Sequence, residues 1–276
     1  MRRTATLLAL NWAGSFVLIT LLVSARVDDR EIFIKGGNVN GIEIGPFIMD
    51  KNLVTVADYL EFTKATGYQT EAEKFGSAGV FSADHGTFLA IEGSNFRFPF
   101  GPEGLPAELD HPVTQVSYND AVAYANWKGK RLPTRAEWQY AAAAGRNGEY
   151  SWGDDLVVDG KFKANTWQGA FPFTNLKSDG YEFTSPVGVF GENPWGLTDM
   201  GGNVWQWCSD SVDPVGYEKI IDPGPRKVLK GGSYLCDPTV CHGYQIFGET
   251  YTTPESALGH IGFRCVRDVR PSIGSK

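Results

Sequence analysis

Gly202-Asn203-Val204-Trp205-Gln206-Trp207 is the stretch on which the fold assignment turns. Upstream of it stand Thr66-Gly67-Tyr68-Gln69-Thr70-Glu71-Ala72-Glu73-Lys74-Phe75-Gly76, Asp110-His111-Pro112-Val113 and Lys130-Arg131-Leu132-Pro133-Thr134. Downstream stand Lys230-Gly231-Gly232-Ser233-Tyr234 and Gly262-Phe263-Arg264. Any one string is weak; six in order are strong. They sit in a 276-residue chain with 33 glycines, 15 prolines and 36 aromatics (8 Trp, 11 Tyr, 17 Phe). Glycine and proline at this density argue for a turn-rich fold and against a helical bundle, coiled coil or helical solenoid. With 42% hydrophobic and 21% charged residues the composition is globular. A net charge of -7 lacks the electrostatic footprint of a nucleic-acid binder.

Met1-Arg2-Arg3 is a basic start, and Ala5 to Ala25 carries no charge and is almost wholly apolar. Val23-Ser24-Ala25 then offers small residues where signal peptidase cuts. Residues 1–25 therefore read as a signal peptide or an N-terminal membrane anchor. Either one delivers the remainder outside the cytoplasm, to a periplasmic or other extracytoplasmic site, touching the membrane only through this segment.

Residues 30–270 show no repeat or linker and read as one α+β domain with little regular secondary structure. Three helices are expected. Thr55 with Asp58 forms a capping box for the first, which presents Val56, Tyr59, Leu60 and Thr63 on one face and ends at Gly67. Asn119 caps a second from Asp120 to about Trp127, and Thr134 with Glu137 caps a third that runs to Gly145. Ile32-Phe33-Ile34, Val113 to Val116 and Val228-Leu229-Lys230 read as short strands.

The six strings, in this order and spacing, resemble the formylglycine-generating enzyme family, the sulfatase-modifying factors, over about residues 35–268. The resemblance implies a compact α+β fold with a C-type-lectin-like core. The family holds several chemistries and some non-enzymes, so the site must decide the function.

Cys236 and Cys241 flank a Pro-containing turn and can converge. On spacing alone, in an oxidising compartment, they read as a disulfide. Soft thiolates also select Cu(I). The resemblance implies the second use: the pair binds Cu(I), a cysteine of an exported protein or peptide substrate joins as third ligand, and O2 oxidises it to formylglycine. Ser233 and Trp205 match positions at that active site. A non-catalytic module that binds, matures or inhibits another exported protein is the alternative. Cys265 follows the Gly-Phe-Arg string, but the usual partner position holds Ala125; Cys208 and Cys265 are either bridged to each other or inert thiols.

The resemblance also implies structural calcium on Asn165, the carbonyl of Thr166, Asp179 and the carbonyl of Tyr181, oxygen donors suited to a hard cation. A second set falls on Asp199, Gly202, Val204 and Gln206. There the usual Asn has become Asp199 and the usual Glu has become Gln206, so the charge is kept but moved. Two departures fall in the substrate groove: Glu249 stands where the family has arginine, and His260 where it has asparagine. The sign reversal at Glu249 makes the Cys-x-Pro-x-Arg sulfatase motif a poor substrate. His260 is either a core histidine or an imidazole added to the sulfur pair.

Overall fold

In the computed structural model the described residues are 29–216, 219 and 222–269. The signal-or-anchor segment 1–25 lies outside them. They belong to one compact unit, Val27–Arg270. Among them no helix is long and apolar enough to cross a membrane.

The chain begins with β1 (Glu31–Ile34), the hairpin β2 (Gly37–Val39) and β3 (Ile42–Ile44), and β4 (Phe47–Asp50). Helices α1 (Val56–Thr66) and α2 (Glu71–Phe75) lead to the hairpin β5 (Ser77–Ser82) and β6 (Thr87–Glu92). Helices α3 (Tyr118–Trp127) and α4 (Arg135–Ala143) precede a small hairpin, β7 (Val157–Val158) and β8 (Lys161–Phe162). The last strands are β9 (Trp205–Val212), β10 (Arg226–Lys230), β11 (Glu249–Thr252), β12 (Ile261–Gly262) and β13 (Val266–Asp268). β1-β4-β13 form one antiparallel sheet. A second sheet has the order β11-β10-β9-β12, with β12 parallel to β9.

Helices this short do not hold in isolation, so each needs its ends and its buried face. All four open on a reciprocal capping box: Thr55 with Asp58, Thr70 with Glu73, Ser117 with Asp120 and Thr134 with Glu137. The cap of α3 is Ser117 and not the expected Asn119. Asp120 returns its carboxylate to the Ser117 N–H at 2.9 Å, whereas the Asn119 amide donates outward to Glu71. The same box, Thr70-x-x-Glu73, signals α2, which the sequence reading passed over. Helix α4 stops at Ala144 in the left-handed region (φ 47°), one residue before Gly145.

Two apolar clusters fill the interior. Tyr59 packs at ring-centroid distances of 5.0–6.3 Å against Phe96, Phe62, Tyr124 and Phe263 in the first. Trp138, Phe47, Met49, Val228 and Ile246 build the second beneath α4. Ile32–Ile34 and Val228–Lys230 are strands as expected. Val113–Val116 is not: Gln115 turns to positive φ (57°) and spends its side-chain amide on the carbonyls of Gly79 and Pro99. The apolar run is still buried, with Val113 and Val116 fully covered, so its hydrophobicity marks core rather than ladder.

Asp120 is the joint between α3 and the start of α2. Its buried carboxylate accepts from the Ser117 N–H, the Tyr68 hydroxyl (3.0 Å) and the Glu71 N–H (3.1 Å). Asp120→Ala removes a cap and orphans these donors, and is expected to cost about 2–4 kcal/mol. Urea unfolding checks this; a loss below about 1 kcal/mol, the worth of a cap alone, would refute the joint role.

Candidate active site

The turn after β10 is built so that backbone can pass close to backbone. Gly231 and Gly232 both have positive φ (94° and 68°), and a Cβ on Gly232 would sit 2.6 Å from the Tyr244 nitrogen. Ser233 follows, fully buried, with its hydroxyl accepting from the Leu235 N–H at 3.2 Å. The Cys236 N–H then donates to the Ser233 carbonyl and the Cys241 N–H to that of Asp237. Asp237 ties off the turn by accepting from Thr239. The result brings Cys236 and Cys241 to a Cα separation of 5.0 Å, joined as a disulfide. Cys208 and Cys265 are free, buried thiols in different clusters; burial pushes both thiols up, away from the reactive thiolate.

The two paired sulfurs are not equivalent. Cys236 is buried, while Cys241 lines an open depression of about 320 Å³ with Trp205, His242, Gly243, Gly248 and Glu249. The Trp205 indole lies against Gly243, where a Cβ would meet the ring at 2.1 Å. The Gly243 N–H points at the Cys241 sulfur at 3.4 Å, a donor that favours a thiolate there. Trp205, Cys241 and Glu249 thus share one surface, and Ser233 is buried in the same turn as Cys236. On the other side of the turn, Tyr234 and Leu235 wall a larger aromatic cavity of about 450 Å³ with Phe81, Phe100, Trp167 and Phe183. That cavity has no signature in the sequence, because its walls come from at least five separate segments.

Glu249 is not a lone anion. Its carboxylate lies 3.1 Å from the Arg135 guanidinium and 3.7 Å from the ammonium of fully buried Lys230. Neither partner was expected from the sequence to face Glu249. His260 is stacked on Phe88 at 4.6 Å between ring centroids, and its carbonyl accepts from the Trp205 N–H. Among the described residues the group of three metal-ligating side chains with ligand atoms within 4.8 Å of one another is Glu108, Asp110 and His111. His260 therefore does not close a three-ligand set with the two sulfurs.

The two sets of oxygen ligands differ in kind. Asn165 keeps its side-chain oxygen buried without a hydrogen-bond partner. The Thr166 carbonyl and the Asp179 carboxylate converge on one donor, the Gln168 amide, and Asp179 also accepts from the N–H groups of Thr166 and Tyr181. An orphaned buried oxygen beside a carboxylate and a carbonyl fits a hard cation. Around Asp199 and Gln206 the side-chain oxygens face donors of the chain: the two short bonds to Asp199 fall on Oδ2, and its Oδ1 meets the Asn203 amide at 3.4 Å. Asp199 accepts from the Gly188 N–H and the Thr198 hydroxyl, and Gln206 from Trp138 and Arg264. That set does not fit an ion.

The chain belongs to the sulfatase-modifying factor family: the family model described as sulfatase-modifying factor enzyme 1-like domain matches residues 13–269. It is 41% identical to the formylglycine-generating enzyme of Streptomyces coelicolor, over 86% of this chain and 83% of that one. It is 35% identical to the inactive C-alpha-formylglycine-generating enzyme 2 of Bos taurus, over 83% of this chain and 79% of that one. The solved structure of PvdO from Pseudomonas aeruginosa shares the fold, with a TM-score of 0.58 at 24% identity over 87% of this chain and 91% of that one.

Burial pushes the His260 imidazole down from 6.5 to about 3. The unfolded chain thus takes up the proton first, so the stability held by neutral His260 is intact above about pH 6.5 and drains away as pH falls toward 3. The wild-type advantage over His260→Asn should shrink by up to about 1.4 kcal/mol per pH unit across that window. Denaturant titrations at stepped pH measure it; a difference that stays flat would contradict the burial of the neutral ring.

Proposed function

We propose that this chain is an exported, copper-dependent oxidoreductase resembling formylglycine-generating enzyme, which oxidises a cysteine or other residue of a protein partner with O2. The observation that carries the reading is the placement of Cys241, paired with Cys236, on the floor of a depression beside Trp205. The identity to formylglycine-generating enzymes supports it. Cys236 and Cys241, reduced, would hold Cu(I), which when bound supplies the activation of O2. The depression admits the substrate segment from the Cys241 side. Trp205, held against Gly243, shapes its wall, and the Gly243 N–H supports negative charge on Cys241. Ser233 fixes the turn that presents Cys236. Asn165, Thr166, Asp179 and Tyr181 would hold a structural Ca²⁺. The apolar N-terminal segment supports export.

The second reading, a non-catalytic protein-binding or maturation module, draws on the likeness to an inactive relative and on the carboxylate at 249.

After reduction, Cu(I) titration against a competing chelator should give one ion per chain. Cys236→Ser and Cys241→Ser should each weaken binding by several orders of magnitude, since one thiolate cannot make the two-sulfur site. Unchanged affinity in either variant would overturn the copper assignment.

The reduced, copper-loaded protein should turn over a Cys-x-Pro-x-Arg peptide at least about tenfold more slowly than a formylglycine-generating enzyme does, because a charge-assisted bond from an arginine at 249 is missing. The mass loss of thiol-to-aldehyde conversion is the readout. Equal turnover would show that Glu249 does not set specificity. Turnover on no cysteine peptide, including peptides from proteins encoded beside it, would favour the binding module.

A further inference from the structure

The orientation of one buried amide decides whether the Asp199–Gln206 turn can take a cation. Gln206 is fully buried, and two N–H groups point at the same end of its side chain: Trp138 Nε1 and Arg264 Nε, each at 2.8 Å from Oε1. Rotating the amide by half a turn would set its NH₂ against both donors, so the oxygen is pinned where it lies. The NH₂ end must then face the Asp199 carbonyl, to which it donates at 2.7 Å. It offers hydrogen where a metal ligand offers a lone pair.

Positive charge is already present. The Arg264 guanidinium is fully buried and donates to the carbonyls of Thr198 (2.6 Å) and Asp199 (3.2 Å), and to those of Asp50 (3.2 Å) and Lys51 (3.0 Å). The Asp199 carboxylate is used within the chain as well, accepting from Gly188, Thr198 and, at 3.4 Å, Asn203. A divalent ion entering here would have to displace hydrogen bonds from both side chains and sit close to a guanidinium.

We infer that this chain holds the Asp199–Gln206 turn through the Gln206 amide, pinned by Trp138 and Arg264 and donating to the Asp199 carbonyl, so that the second calcium of the resembled family is replaced by internal hydrogen bonds. The inference does not depend on copper, catalysis or the Asn165–Asp179 set. Gln206→Glu isolates it. A carboxylate keeps the acceptor for Trp138 and Arg264 but puts a second oxygen against the Asp199 carbonyl, an arrangement that a hard cation relieves.

The test is calcium content by equilibrium dialysis with elemental analysis, alongside thermal unfolding with Ca²⁺ or with chelator, on wild type, Asp179→Ala and Gln206→Glu. Gln206→Glu should bind one Ca²⁺ more than wild type and show a larger rise in Tm on adding Ca²⁺. Asp179→Ala should retain none. Calcium retained by Asp179→Ala and then lost on adding Asp199→Asn would overturn the inference, as would a folded Gln206→Glu that gains no ion. If Gln206→Glu does not fold, the Asp179→Ala measurement decides alone. A wild type with no calcium would refute the Asn165–Asp179 proposal and leave this one standing on the gain in Gln206→Glu.

Discussion

The buried guanidinium of Arg264 is the constraint on which the rest of the molecule hangs. A fold with little ladder leaves many carbonyls without a strand or helix partner, and buried carbonyls must be paired. One planar side chain pairs those of Asp50, Lys51, Thr198 and Asp199 and the oxygen of Gln206, residues up to 214 positions apart. Burial lowers its pKa to about 10, with Asp199 and Asp50 opposing the fall, so the charge persists at neutral pH. Lysine could not replace it, having three donors on one point where five acceptors lie in a fan. Through Gln206 the clamp fixes strand β9, and β9 carries Trp205 at the site.

Local chemistry made part of this readable in advance. Capping boxes are signals carried within four residues, so Thr55, Thr134 and their partners marked helices whose starts the structure keeps. The error at Asn119 was a choice between two competent caps, decided by where Asp120 could return its carboxylate. Val113–Val116 misled because burial and strand share the same residue types, and a single positive φ at Gln115 separates them. The order of the strands was not readable: β12 lies beside β9 across more than fifty residues, a pairing set by Arg264 and the apolar clusters rather than by anything near Ile261.

The site divides the same way. That Cys236 and Cys241 meet follows from the short turn between them, which Asp237 and Thr239 close locally. That Cys241 and not Cys236 faces outward does not follow, because it depends on Trp205 lying on Gly243 from another strand. The residues that wall the aromatic cavity are scattered between Val80 and Gly259, and no spacing rule links them.

Glu249 shows how a sign change in sequence can carry two meanings. Alone, a carboxylate in place of arginine reads as altered partner choice. In the fold it faces Arg135 and a fully buried Lys230 whose ammonium has no hydrogen-bond partner and whose pKa burial pulls down. An arginine at 249 would put a third cation against that lysine, and a buried ammonium without a counter-charge is costly. The carboxylate is therefore tied to Arg135 and Lys230 as much as to any ligand. The Glu249 carboxylate on the wall of the depression is already engaged within the chain, so a partner docking there meets Trp205, Gly243 and the sulfur beside an anion that has its own counter-charges.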